Sequence, residues 1–234
     1  MNKAAIEKIT ELAEPNITVQ GGYAYTDKEL MLIKAPAVDR IVFKTLTSLV
    51  TTLSAELKEY VAPVLVHVVS PTEVKVICGI SEQDRTREYP YMAVAETPEF
   101  FFGRWYDYEE LMIALKSKFV ETPNLCEVVK LLGTITEENN MTIADDGFTQ
   151  TVTVRKGVVL KEGKAVNPRI TLVPYSTFIE IKQPEREFLL RLNGGGKAAL
   201  FEADGGAWKI RARHEIARVL REMFKEHSEI IVIE

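Results

Sequence analysis

The sequence is poor in the residues that cross-link small secreted domains and that hold metal ions. Its 234 residues include two cysteines and three histidines, and none of these side chains has a close partner at zinc-ligand spacing. Cys78 and Cys126 cannot form a disulfide framework, and each stands in an apolar pattern. We therefore expect both to be reduced, buried side chains in a cytoplasmic protein.

Long hydrophobic runs and an excess of basic charge are also missing. The longest apolar run, residues 61–69, contains a proline and a histidine and is less than half a membrane span. Residues 1–16 alternate charged side chains with Ile6, Ile9 and Leu12, which predicts a short amphipathic helix rather than a signal peptide. With 29 basic and 34 acidic residues, the net charge of −5 gives no electrostatic footprint for duplex DNA. We expect neither a membrane nor duplex DNA as a partner.

The sequence does contain clear helix and strand patterns in its first 140 residues. Apolar residues recur at helical spacing from Val42 to Leu57. Two β-branched runs, VLVHVV and VKVICG, flank a turn at residues 70–73 and predict a hairpin. Asp107 and Glu110 have the spacing of a capping box for a third helix, and a fourth helix is predicted to stop at Gly133.

Strand patterns dominate the rest of the chain. They are FTQTVTVRKG, RITLV, FIEI, EFLLRL and AALFEA, followed by an apolar-striped helix and a strand IIVI. The sequence thus predicts an α+β fold, with an α-rich N-terminal half carrying a β-hairpin and an antiparallel, β-rich C-terminal half closed by a helix. We expect two regions, residues 1–140 and 141–234, within one cooperative domain.

No catalytic motif is satisfied, and acidic pairs are the best enzymatic lead. Residues 193–197 resemble part of a P-loop, but Ala198 stands where Ser or Thr should hold magnesium, so a hairpin loop is favoured. Clustered carboxylates are suitable ligands for Mg²⁺, as hydrolysis of phosphate esters requires. The candidate metal ligands are Asp145, Asp146, Glu202 and Asp204. The alternative is structural: Asp204 caps the following helix, and Asp145 and Asp146 belong to a hairpin turn.

Two further features favour either nucleic-acid binding or ordinary structure. The last helix contains several basic residues after Trp208, and Trp208 is suited to stacking on a base. Interleaved glutamates favour a solvated, salt-bridged helix face instead. The aromatic run at residues 100–106 is either a stacking platform or part of the core.

Several ordered segments resemble a known family. They are LVHVVSPTEVKV, TPEFFFGRWYDYEELMIALKSKFV, ADDGFTQTVTVRKG, NPRITLVPYSTFIEIKQPEREFLLRL and AALFEADGGAWKI. Together they resemble the YfdQ-like family of tailed phages and prophages, from about His67 to the C-terminal helix. The resemblance implies a phage accessory protein in the cytoplasm of a bacterial host, and it assigns no catalytic residue. It marks the polar positions Arg104, Asp145, Asp146, Gln150, Arg155, Arg191, Glu202, Asp204 and Trp208.

Three functions follow from the sequence, in order of preference. The first is a non-enzymatic, self-assembling phage protein that counters host defence by binding a host nucleotide signal or a host protein, without a cofactor. Its candidate ligand-binding residues are Arg104, Gln150, Arg155, Arg191 and Trp208. Arg155 and Arg191 have a structural alternative, an ion pair with Glu202. The second function is a single-stranded nucleic-acid-binding factor in phage replication or recombination that uses Arg211, Arg213 and Arg218. The third is a metal-dependent hydrolase that uses the acidic cluster.

Overall fold

The computed structural model describes most of the chain. It covers residues 2–13, 15, 17–20, 23–26, 39–82, 85–137, 141–145, 150–156, 159–160, 164–166, 168–193 and 195–234, with the backbone alone at residues 11–12, 23, 135–137 and within 141–166. The chain divides into two compact units, Met1–Val38 and Asp39–Glu234. The fold is α+β, as predicted. The boundary predicted at residue 140 stays a prediction.

The described segments contain five α-helices and fifteen strands. The helices are α1 (Lys3–Ala13), α2 (Leu46–Glu56), α3 (Tyr108–Lys118), α4 (Pro123–Glu137) and α5 (Ala207–Met223), with a 3₁₀ turn at Leu57–Glu59. The strands are β1 (Ile17–Gln20), β2 (Tyr23–Thr26), β3 (Ile41–Phe43), β4 (Val64–Ser70), β5 (Glu73–Ile77), β6 (Tyr91–Val94), β7 (Tyr106–Asp107), β8 (Met141–Asp145), β9 (Gln150–Lys156), β10 (Val159–Leu160), β11 (Lys164–Val166), β12 (Arg169–Leu172), β13 (Arg186–Leu192), β14 (Lys197–Glu202) and β15 (Ile230–Ile233).

The described residues of the first unit form helix α1 and two antiparallel strands, β1 and β2. The helix confirms the amphipathic pattern predicted for the start of the chain. Ile6 and Ile9 of this helix are both exposed.

The first core of the second unit lies between a five-stranded sheet and two helices. The strand order is β15-β4-β5-β6-β3, and the predicted hairpin is confirmed as β4 and β5. Alternate residues of β4, β5 and β6 are fully buried because they face α2 and α5, which contribute Leu49, Leu53 and Ile216 to the same core. Strand β15 pairs with β4 in parallel. A strand of the C-terminal half thus joins a sheet whose other four strands lie in the N-terminal half.

The second core lies between a four-stranded antiparallel sheet and helices α3 and α4. The strand order is β12-β13-β14-β7, and the sheet contributes Leu172, Phe188 and Leu200 to this core. A separate antiparallel sheet has β9 paired with β8, β10 and β11. Strand β9 confirms the strand predicted from FTQTVTVRKG.

The segment 173–185 connects the two cores. It leaves β12 in the second core, inserts Phe178 and Ile181 into the first core, and returns to β13. The side chain of Gln183 is buried and organises the segment: its Oε1 accepts hydrogen bonds from the backbone N–H groups of Ser176 and Thr177. Its Nε2 donates to the carbonyl oxygens of Phe178 and Ile181. The strand predicted from FIEI is wrong, because these residues form bends and turns around Gln183.

Asp107 is the N-cap residue of α3, as predicted, but its capping box and the predicted boundaries of two other helices need correction. Val42 belongs to strand β3, because helix α2 begins only after Thr45, whose hydroxyl accepts a hydrogen bond from the backbone N–H of Ser48 at 3.2 Å. Asp107 precedes α3, but its side chain makes no capping hydrogen bond. Glu110 instead faces Arg104, at 3.6 Å between the carboxylate and the guanidinium. Helix α4 continues through Gly133 to Glu137.

We expect Gly133→Ala to stabilise the protein. A β-carbon at this position would meet its nearest neighbour, the sulfur of Met112, at an ordinary contact distance of 3.8 Å. Glycine in a helix interior costs about 0.5–1 kcal/mol relative to alanine, so the free energy of unfolding should rise by about that amount in a denaturant titration. Gly79→Ala is the contrasting variant, because its β-carbon would lie 2.6 Å from the carbonyl oxygens of Val61 and Ala62. A Gly133→Ala protein less stable than the wild type would contradict the helical assignment.

Among the described residues, no helix is both long enough and apolar enough to span a membrane.

Candidate functional site

The aromatic loop, residues 100–106, presents its rings alternately inward and outward. Phe100 stacks on Tyr106 with 5.3 Å between ring centroids, and Phe102 stacks on Phe188 of the second core at 5.1 Å. Phe101 and Trp105 point the other way and are 51% and 42% exposed. Three of the five rings belong to the second core or pack against it, as one alternative predicts, and two lie on the surface, where a stacking role stays a prediction.

Hydrogen bonds fix the aromatic loop to the second sheet. The backbone N–H of Gly103 donates to the carbonyl oxygen of Leu200 on β14 at 2.7 Å. The hydroxyl of Tyr106 accepts from the N–H of Phe101 at 3.2 Å and donates to the carbonyl oxygen of the same residue at 3.1 Å. Gly103 has φ of +78°, a conformation that glycine adopts without strain. The exposed rings are thus held by a preorganised backbone.

Arg186 lies beneath the loop, inside a cage of aromatic rings. Its side chain is only 4% exposed, and its guanidinium carbon lies 4.6 Å from the ring centroid of Phe102, 5.2 Å from that of Phe188 and 4.2 Å from that of Trp208. These distances are typical of cation–π interactions. Its Nη1 donates to the hydroxyl of Ser176 at 3.1 Å. Burial lowers the pKa of Arg186 to about 10, against the opposing charge of Asp204, so the side chain is charged at neutral pH.

The carboxylates predicted as metal ligands have structural partners at this site. Glu202 forms an ion pair with Arg186. Asp204 caps α5, because its carboxylate accepts hydrogen bonds from the N–H groups of Gly206 at 3.0 Å and Trp208 at 3.2 Å. Arg211 approaches the same carboxylate at 3.5 Å. The capping predicted for Asp204 is present.

No group of three His, Cys, Asp or Glu side chains within the described part of the chain is arranged to hold a metal ion. Asp145 ends strand β8 opposite Gln150 of β9, and the side chains of both residues lie outside the description. Asp146 lies outside the described residues altogether. These two carboxylates therefore remain predictions.

Of the predicted ligand-binding residues, Arg104 lies in the aromatic loop and Trp208 is one of the rings of the Arg186 cage. Arg104 belongs to the aromatic loop, is more than half exposed, and lies 4.9 Å above the ring of Tyr106. Trp208 is 8% exposed, and its ring faces Arg186 and the ammonium of Lys209. Its indole therefore acts as a packing and cation–π partner rather than as an open stacking surface.

The other predicted ligand-binding residues lie elsewhere. Arg191 follows Arg186 by five positions on β13 and pairs with Ala199 of β14. Because side chains alternate along a strand, the two arginines point to opposite faces of the sheet. Glu202 pairs across the sheet with Phe188, on the face of Arg186, which explains why Arg186 rather than Arg191 is its ionic partner. Arg155 lies in β9 and its side chain is not described.

Sequence reasoning missed Arg186, the centre of this site. The signal was the alternation in REFLLRL, which places Arg186 on the same strand face as Phe188, Leu190 and Leu192. A basic side chain is rarely buried at the end of an apolar strand face, so this position was a detectable signal.

No family model, curated protein or solved structure matches this chain. The resemblance to the YfdQ-like family therefore stays an expectation, and the function has to be argued from the site.

Proposed function

We propose that this chain is a non-enzymatic accessory protein of a phage or prophage that acts by binding a host nucleotide signal on its aromatic loop. The observation that carries the proposal is the exposure of Phe101 and Trp105 in the same loop as Arg104, whose guanidinium is more than half exposed and lies 3.6 Å from the Glu110 carboxylate. An exposed indole can stack on any nucleobase, and a guanidinium forms paired hydrogen bonds with phosphate oxygens. The loop thus combines the two chemistries that recognise a nucleotide.

The way the loop is held supports binding. The inward rings and the hydrogen bond from Gly103 to Leu200 fix the backbone before any ligand arrives. A preorganised surface loses little conformational entropy on binding. The ring of Trp105 also contacts the sheet, because it lies edge-on to the ring of Phe201 on β14 with 6.4 Å between the ring centroids.

The partners of the acidic residues favour binding without turnover. Glu202 neutralises a buried guanidinium, and both oxygens of Asp204 accept backbone hydrogen bonds at the start of α5. A catalytic metal would compete with these partners for the same oxygens. The metal-dependent hydrolase is therefore the less supported alternative.

Single-stranded nucleic-acid binding by α5 is also less supported. Arg211 faces Asp204 and the carbonyl oxygen of Glu185, Arg218 faces Glu215 at 2.6 Å, and Lys225 faces Glu222 at 2.9 Å. Paired cations of this kind indicate a solvated, salt-bridged helix face.

Tryptophan fluorescence can test nucleotide binding directly, since the chain has two tryptophans. In the Trp208→Phe protein, the remaining indole of Trp105 should be quenched on titration with a member of a panel of purine and pyrimidine mononucleotides, triphosphates, cyclic mononucleotides and cyclic dinucleotides. We expect Trp105→Ala and Arg104→Ala, measured by calorimetry in the otherwise wild-type protein, each to raise the Kd by at least about 10-fold. The recovered nucleotide should have an unchanged mass.

The matched control is Ile113→Ala, which removes an equally exposed apolar side chain from α3. Its Kd should equal that of the wild type. Absence of binding across the panel would overturn the nucleotide proposal, and so would binding that neither Trp105→Ala nor Arg104→Ala weakens.

A further inference from the structure

The five-stranded sheet has a second face, here called the outer face, which is largely apolar. In each strand it is formed by the residues that alternate with those of the first core. Its apolar members are Val42, Leu65, Ile77, Met92, Val94, Ile231 and Ile233.

Both helices that pack on this sheet, α2 and α5, belong to the opposite face, because their apolar residues join the core formed by the fully buried valines of β4 and β5. Val42, Ile231 and Ile233 are 47%, 46% and 36% exposed. These three residues of the two edge strands are exposed, whereas Leu65, Ile77, Met92 and Val94 on the inner strands are partly buried.

The outer face covers an area typical of interaction sites. Five strands spaced about 4.8 Å apart, with three rows of side chains about 6.8 Å apart, give a footprint of roughly 400–500 Å². His67, Glu73 and Lys75 occupy the middle of this area and apolar side chains supply most of the rest. Apolar patches of a few hundred Å² on a monomer are commonly functional. Two such faces together would bury about 1,000 Å², the lower end of specific protein interfaces.

A pair of opposite charges lies in the middle strand of this face. Glu73 and Lys75 are two residues apart on β5 and therefore share the outer face, with 2.7 Å between carboxylate and ammonium. Each side chain is about one third exposed, with values of 31% for Glu73 and 37% for Lys75. Because the two charges differ in sign, this strand is electrostatically complementary to an antiparallel copy of itself.

We propose that the outer face binds the outer face of a second copy of this chain. A two-fold axis between the two sheets, directed across the strands, places β5 over β5 and β6 over β6 in antiparallel orientation. Lys75 of each copy then lies over Glu73 of the other, and Met92 of each copy lies over Val94 of the other. Such an isologous contact closes on itself as a dimer, and two sheets packed in this way lie about 10 Å apart. This contact names a surface for the self-assembly expected from the sequence, and it does not depend on the aromatic loop.

The test is the absolute mass of the purified chain, measured by light scattering and by sedimentation over a range of concentrations. The wild type should dimerise with a Kd of about 1–10 μM, as expected for an interface at the lower size limit. Met92→Lys places a second ammonium beside Lys75, opposite Val94 of the other copy, and should raise the Kd at least about 100-fold.

Charge reversal on β5 separates this surface from a general loss of stability. Lys75→Glu places four carboxylates in the contact and should make the protein monomeric, whereas Glu73→Lys combined with Lys75→Glu restores complementarity and should restore the dimer. Ile113→Lys on α3 is the control and should remain dimeric. Far-ultraviolet circular dichroism should show all variants folded.

Two outcomes would overturn the proposal. One is a wild-type protein that stays monomeric at concentrations about 100-fold above the expected Kd. The other is an oligomer whose mass changes with neither Met92→Lys nor Lys75→Glu. Trp105→Ala should leave the mass unchanged while raising the Kd for nucleotide at least about 10-fold, so failure of the dimer and failure of the proposed function give different results.

Discussion

Replacing Arg186 with alanine is expected to lower the free energy of unfolding by about 3–5 kcal/mol. Arg186 fills the space between Phe102, Phe188 and Trp208, so truncation leaves a cavity as well as three unpartnered ring faces. It also removes the cation that pairs with Glu202.

Chemical denaturation followed by circular dichroism measures this loss. Arg211→Ala is the control, because it removes another arginine near Asp204 that is more than half exposed, and it should cost less than about 1 kcal/mol. The double variant Arg186→Met with Glu202→Gln should recover much of the loss, since it fills the cage without burying a charge. An Arg186→Ala protein as stable as Arg211→Ala would show that the cage contributes little to folding.

Replacing Gln183 with leucine is expected to lower the free energy of unfolding by at least about 3 kcal/mol. The substitution replaces the buried amide side chain with an apolar side chain of similar size. However, it leaves the N–H groups of Ser176 and Thr177 and the carbonyl oxygens of Phe178 and Ile181 without their side-chain partner. Buried main-chain groups without a partner are among the most costly defects in a fold.

Two variants show whether the hydrogen bonds of Gln183 cause this effect. Gln183→Glu retains an oxygen for Ser176 and Thr177 but places a carboxylate against two carbonyl oxygens, so it should be strongly destabilised despite its nearly identical shape. Asn124→Ala removes one side-chain amide on the surface, which donates to the carbonyl oxygen of Thr171 at 3.0 Å, and should cost about 1 kcal/mol. Equal stability of Gln183→Leu and Asn124→Ala would contradict the role assigned to Gln183.

Most secondary structure could be predicted from local pattern, because the hydrophobic periodicity of β4, β5, β13, β14 and α5 matches their burial. The errors fell where tertiary contacts decide. FIEI alternates like a strand, but Phe178 and Ile181 instead enter the first core from a segment held by Gln183. Gly133 resembles a helix stop, but α4 continues through it to Glu137.

The candidate site was less predictable than the fold, for a physical reason. The cage of Arg186 draws on the aromatic loop, β13, β14 and the first turn of α5, which are separated in the chain and meet only after folding. Trp208, Glu202 and Asp204 were recognised individually, whereas the residue that joins the indole to the Glu202 carboxylate was not. Which rings of the aromatic loop face outward also depends on the bond from Gly103 to Leu200, which no local pattern reveals.

The parallel pairing of β15 with β4 constrains the order of events during synthesis on the ribosome. Residues 64–70 emerge early, but the neighbouring strand β15 and the helix α5 that covers the same core are made only after residue 206. Until they arrive, the growing chain holds an incomplete sheet with an unpaired edge and an uncovered apolar face, both of which promote aggregation. A nascent chain stalled before residue 207 should therefore depend on chaperones, even though most of its strands have already been made.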